Sequence, residues 1–182
     1  MTRGTVTAGI VESERDLAGI LALQRECREP TPDGFVTVAH TLDILRAMHA
    51  LAPSIAARDA AGRIVGYALV MPKETRALVP ILEPMFRMIE ALPASEICGR
   101  SGARWYVMGQ VAIARDYRGT GLFARMYAEH RRRYQDRFDA VVTEVATRNP
   151  RSLRAHERVG FRTISTYRDA TDEWALLAWE WR

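Results

Sequence analysis

Cysteine is nearly absent: Cys27 and Cys98 stand far apart in 182 residues and in no metal-ligand spacing. That excludes a disulfide framework and a cysteine-built zinc module. Long apolar runs are missing as well. The opening MTRGTVTAGIVESERD holds none of signal-peptide length. No later stretch approaches the ~20 apolar residues of a membrane span, so a cytoplasmic location is expected. There is no internal repeat and no low-complexity segment. Neither sign of charge dominates: 26 Lys and Arg, nearly all Arg, face 22 acids for a net +4. This mild excess suits an anionic ligand and does not by itself imply nucleic acid.

What is present describes an ordinary globular protein, 48% hydrophobic and 26% charged. The length suits one domain, 1–182, with a sizeable core. TVTAGIVES (5–13) reads as a strand and 14–28 as an amphipathic helix through Leu17, Ile20, Leu21 and Leu23. EPTPDGF (29–35) is a turn-rich break, and 37–51 reads as a second helix. Two strands follow around a turn at Ala60–Gly62, the second ended by Pro72. Residues 73–104 read as a less regular insertion holding one short apolar helix. Then come a strand (105–114), a glycine turn, a helix (122–135), a buried strand (139–146), a helix (150–159) and two last strands. Strands alternating with helices in the second half imply parallel pairing with a right-handed crossover. The hairpin in the first half implies a mixed sheet.

The turn VAIARDYRGTGLF joins a buried strand to a helix through Gly119 and Gly121. Such a turn leaves backbone N–H groups free at a helix N-terminus, where they and the helix dipole favour an anion. No Lys-Ser/Thr pair follows, which excludes a Walker loop. The third glycine of a dinucleotide fingerprint is missing too.

This turn resembles motif A of the GNAT superfamily of acyl-coenzyme A N-acyltransferases, Gln/Arg-x-x-Gly-x-Gly/Ala, with Arg118, Gly121 and Phe123 in the fixed places. Phe123 departs from the small residue of the pattern. NPRSLRAHERVGF (149–161) resembles motif B, Asn-x-x-Ala-x-x-x-Tyr-x-x-x-Gly-Phe. Asn149, Gly160 and Phe161 match it, Ser152 replaces the alanine, and His156 stands where the family has tyrosine. The element order fits as well, so the resemblance covers most of the chain. It implies an α/β protein (α+β in some schemes) with the GNAT fold. That fold has a mixed, mostly antiparallel sheet, a central parallel strand pair that splays, and helices on both faces.

The resemblance further implies acetyl-coenzyme A as co-substrate, no metal, and direct attack of a primary amine. Main-chain groups of Val111, Ala112 and Ile113 would pair with the pantetheine arm, as a strand added to a sheet edge. The amides of Gly119, Thr120, Gly121, Leu122, Phe123 and Ala124 would hold the pyrophosphate beside Arg118. A backbone N–H near Val111 would polarise the thioester carbonyl. Asn149 either caps its helix, with Pro150 first in the helix, or touches pantetheine with Ser152 beside it; the two roles are compatible.

Direct transfer needs a base for the amine proton and a proton for the leaving thiolate. Glu144, near the end of the apolar strand VVTEVA, is the candidate base, since burial there raises a carboxylate's pKa. The other reading is an ion pair with a nearby arginine. Some protein N-terminal acetyltransferases of the family carry Glu-Val at this strand position, twelve residues before the tyrosine acid, as Glu144 stands before His156. Gln110 occupies a place where other members have a carboxylate and cannot act as a base. His156 shares a helix face with Ser152, Ala155 and Val159. It is either a packed histidine or the acid, made cationic by a neighbouring Glu144; otherwise the thiolate leaves unaided or water donates.

Arg131–Arg133 read as surface cations, the other histidines as structural or surface, and Trp174, Trp179 and Trp181 as packing. The acceptor pocket is expected between the first two helices, the insertion and the loop before Trp174. The expected partners are acetyl-coenzyme A and an amine acceptor, without nucleic acid or membrane, and the arrangement is compatible with a homodimer. The reading from another class is a non-catalytic acyl-coenzyme A sensor, which would keep the glycine turn and need neither Glu144 nor His156.

Overall fold

The computed structural model describes residues 5–28, 36 and 38–181. The strands are β1 (Thr7–Ile10), β2 (Ile55–Arg58), β3 (Ile64–Met71), β4 (Trp105–Ile113), β5 (Ala140–Ala146), β6 (Arg162–Arg168) and β7 (Glu173–Glu180). The helices are α1 (Glu14–Glu26), α2 (Leu42–Leu51), α3 (Glu83–Ala91), α4 (Ala94–Cys98), α5 (Leu122–Tyr134) and α6 (Pro150–Val159). Hydrogen bonding orders the seven strands β1-β2-β3-β4-β5-β7-β6. Every described pairing is antiparallel except β4 with β5, which is parallel. The expected element order therefore holds. The second helix starts later than expected, at Leu42, where the Thr41 hydroxyl accepts from Ile44 N at 3.3 Å. The insertion is more helical than expected, with two 3₁₀ segments (Lys73–Leu78, Pro80–Leu82) before α3 and α4. The turn expected at 29–35 and residue 37 lie outside the described residues.

The chain divides into two compact units. The first comprises Met1–Val70 and Gly109–Arg132. Its strand β3 is buried at all eight positions, which explains the unbroken apolar run IVGYALVM. Leu17, Ile20 and Leu23 of α1 and Leu45 and Met48 of α2 are buried, as their helical spacing requires. The C-terminal part of β4 joins this unit, with Ala114 N donating to Val65 O at 2.9 Å.

The second unit comprises Met71–Met108 and Arg133–Arg182. The parallel register there runs from Trp105 opposite Ala140 to Val107 opposite Val142. Directly after it, the Thr143 hydroxyl donates to Met108 O at 2.9 Å. β5 is buried at every position but Glu144, which is half-buried. β7 pairs with β5 along its whole length and with β6 on its other side. Tyr106, Tyr134, Phe138 and Trp181 pack ring against ring, so Trp181 is core. Asp139, almost fully buried, is held by Arg100 and Arg104 where β5 begins.

Candidate active site

The first unit builds the glycine turn. β4 ends at Ile113, a 3₁₀ turn covers Arg115–Tyr117, and α5 starts at Leu122. Gly119 and Gly121 have φ of +74° and +76°, a left-handed conformation that disfavours any residue with a Cβ. A Cβ at either would meet nothing within 4 Å, so the backbone angle and not a neighbour demands glycine. Two side chains brace the turn. Arg118 Nε donates to Ile113 O at 3.0 Å, and the Thr120 hydroxyl donates to Tyr117 O at 2.7 Å. Residues 119–121 and Ala124 are exposed. The first N–H groups of α5 have no partner within the helix, so the turn presents donors outward at the positive end of a dipole. Phe123, where the pattern has a small residue, lays its ring against Tyr127 at 4.8 Å.

Just upstream, Gln110 is buried in a polar cluster. Its Oε1 accepts from the Tyr67 hydroxyl at 2.6 Å and from Gln24 Nε2 at 3.1 Å, and its Nε2 donates to Val38 O at 2.8 Å. The amide therefore fixes the chain before α2 to the sheet. His40 and His130 are buried, so neither is a surface residue. Burial pushes their pKa values down to about 4 and about 3, which keeps both neutral.

The second unit carries the titratable pair. Glu144 Oε2 accepts a short hydrogen bond from the Tyr167 hydroxyl of β6. Burial raises the Glu144 carboxyl to about 7; the Tyr167 bond opposes that rise and the Asp169 charge adds to it. The phenol is pushed well above its ordinary value by burial and by Glu144, so the shared proton stays on tyrosine. No arginine pairs with Glu144 among the described residues, which removes the ion-pair reading.

α6 orders the motif B residues. Asn149 Oδ1 accepts from Ser152 N at 3.2 Å, so the capping role is realised. The helix ends at Gly160, φ +112°, where a Cβ would lie 2.6 Å from Trp179 Nε1. His156 is buried, edge-on to Phe161 at 5.0 Å. Its Nδ1 lies 2.8 Å from Ser152 O, and a carbonyl only accepts, so Nδ1 carries the proton and Nε2 the lone pair. Burial lowers the ring's pKa to about 4, the bond to Ser152 opposing. The cationic form expected beside Glu144 is disfavoured by desolvation, and Glu144 is not among the groups that shift the ring.

A model of the acetyltransferase (GNAT) family matches residues 17–161. The chain belongs to the acetyltransferase (GNAT) family. Solved structures of similar fold include a candidate acetyltransferase from Acinetobacter baylyi ADP1, 16% identical, covering 100% of this chain and 94% of that one at TM-score 0.69. The ribosomal-protein-S18-alanine N-acetyltransferase from Escherichia coli is 11% identical, with 97% and 94% covered and a TM-score of 0.66. A GNAT phosphinothricin acetyltransferase from Sinorhizobium meliloti, in complex with acetyl-coenzyme A, is 15% identical, with 97% and 88% covered and a TM-score of 0.65. The sequence matches none of the curated proteins.

For this GNAT domain, the structure gathers Arg118 to Ala124 into one turn and Asn149, Ser152 and His156 onto one helix. It joins Glu144 to Tyr167. Sequence reasoning missed Tyr167 and the Tyr67–Gln24 pair around Gln110. Their only sequence signal was a hydroxyl or amide within a strand or helix, which names no partner.

Proposed function

We propose that the protein is a cytoplasmic N-acetyltransferase, acting as one domain over 1–182, that moves the acetyl group of acetyl-coenzyme A onto a primary amine. Main-chain groups of Val111–Ile113 pair with the pantetheine arm. The amides of Gly119–Ala124 take the pyrophosphate on the turn that Arg118 braces. Asn149 and Ser152 contact the arm beside the start of α6.

Glu144 takes the proton from the acceptor's ammonium. The freed nitrogen bonds to the thioester carbonyl carbon, the carbon–sulfur bond breaks as the carbonyl re-forms, coenzyme A leaves as thiolate, and the nitrogen gives up its second proton to solvent. A thiol has a pKa near 8.5 in water, so the thiolate is a competent leaving group and takes its proton from solvent. His156, neutral with its proton committed to Ser152 O, serves at the family's acid position by packing α6.

One observation carries this reading: a half-buried carboxylate, on the strand where the family places a base, held near pH 7. A base with that pKa is about half deprotonated at neutral pH and accepts an ammonium proton more readily than an ordinary carboxylate. A sensor would need no such group. The test is a thiol-release screen of the whole protein with acetyl-coenzyme A over a library of small amines, amino acids and peptides, paired with thermal shift. The expected result is stabilisation by acetyl-coenzyme A and release with at least one amine class. Stabilisation with no release from any amine would favour the sensor.

A further inference from the structure

Cross-strand partners in a sheet share a face, as do residues two apart on one strand. Glu144, Leu176 and Ser165 form one row across β5, β7 and β6; Ala146, Trp174 and Tyr167 form the next row on the same face. Tyr167 thus stands diagonally from Glu144 with one strand between, about 9–10 Å across the strands and two residues along them, a backbone span of roughly 12 Å. A tyrosine and a glutamate leaning toward each other bridge that span, and the Tyr167–Glu144 bond does so.

This alignment depends on a bulge. Thr163 pairs with Leu177 and Ser165 with Leu176, so Ile164 is an extra residue in β6. Without it Tyr167 would fall opposite Glu173, and a one-residue slip would turn it to the other face of the sheet. Bulges re-aim side chains in this way beside active sites. The hydroxyl engages Oε2 alone, and among the described residues Oε1 has no hydrogen-bond partner.

From this arrangement we infer that Tyr167, aimed by the β6 bulge, is a positioning residue for Glu144: its phenol holds Oε2 and leaves Oε1 as the oxygen that accepts the substrate proton. The inference rests on the reading of Glu144 as base. The groups that face the carboxylate bear out a donor-only role for the phenol. Across the ladder from Glu144 is Leu176, which is apolar, and the charged neighbour is Asp169, at the end of β6. Neither can donate a proton to Oε2 at neutral pH.

The sign of one measurement separates this role from plain packing. Losing a donor to the ionised carboxylate raises its pKa, whereas loosening the site to water lowers it toward 4.5. The whole protein, labelled with ¹³C at glutamate Cδ, is titrated by NMR as wild type, Tyr167→Phe and Asp169→Asn, with Glu144→Gln to assign the signal. Tyr167→Phe keeps the ring and is expected to move the Glu144 midpoint up by roughly one unit. Asp169→Asn removes a repelling charge and is expected to move it down. An unchanged or lowered midpoint in Tyr167→Phe would overturn the inference, and the Asp169→Asn response confirms that the signal followed is Glu144. With any amine accepted in the release assay, the acid limb of kcat/KM should rise by the same amount in Tyr167→Phe. Full turnover by Glu144→Gln would sink the base reading separately, while the titration would still report whether Tyr167 holds the carboxylate.

Discussion

The glycine turn and the Glu144–Tyr167 pair are built from opposite materials. The turn offers backbone N–H groups at a helix start. Its residues 119–121 are exposed, and it needs glycine at 119 and 121 only because φ is positive there. The pair offers side chains, Glu144 from a strand that is otherwise apolar and buried and Tyr167 from a polar strand with no fully buried position, and its chemistry comes from the cost of ionising a carboxyl on the buried strand. A backbone site is set by a few consecutive residues and tolerates change in the side chains it does not use. A side-chain site depends on strand register and burial, and a single atom decides it.

Substitutions on the two sides should therefore fail differently. The largest effect is expected from Glu144→Gln, which keeps shape and removes the proposed base. Turnover should fall by about 10²–10⁴-fold, with acetyl-coenzyme A still stabilising the protein in a thermal-shift assay. Turnover within a factor of two of wild type would remove Glu144 from the mechanism.

The same substitution tests burial directly. The folded-state pKa is raised, to about 7 against 4.5, so the folded protein holds this proton more tightly. The contribution is fully present below pH 4.5 and lost as pH rises through 7. Glu144→Gln should thus add stability at pH 8, by up to about 3 kcal/mol, and add little at pH 4. Urea unfolding at the two pH values gives the comparison, and equal effects at both would contradict a buried, proton-holding Glu144.

On the backbone side, Gly121→Glu puts a Cβ at φ +76° and a negative charge at the anion site. The stabilisation by acetyl-coenzyme A, about 2.7 kcal/mol at 100 times Kd, should vanish, and turnover with it. A wild-type thermal shift in this variant would mean the turn does not bind the pyrophosphate. The smallest effect is expected at Asn149→Ala. Loss of the cap bond to Ser152 should cost about 1 kcal/mol in chemical denaturation. A much weaker acetyl-coenzyme A response in this variant would show the asparagine's second role.

Local features were legible without the structure. The periodicity read over 14–28 and 37–51, the continuous apolar run of β3 and the cap at Asn149 each depend on neighbours in the chain. Glu144 was legible as an odd polar residue in a buried strand. Tyr167 was not, because its face depends on the extra residue at Ile164 and on which strand lies between β5 and β6. His156 could be placed on its helix but not given a protonation state. Its neutrality follows from burial, which the Ser152 bond opposes, while the Ser152 carbonyl fixes its tautomer. Gln110 was legible as unable to act as a base, yet its task of fastening Val38 to the sheet required the fold.

The sequence by itself determined the order of elements, the glycine turn and the family, because helix period, strand pattern and positive-φ glycines are properties of short stretches of chain. Only the tertiary structure decided which oxygen of Glu144 is held, by what, and that His156 is neutral. Those depend on strand register and desolvation, which arise when residues distant in sequence come into contact.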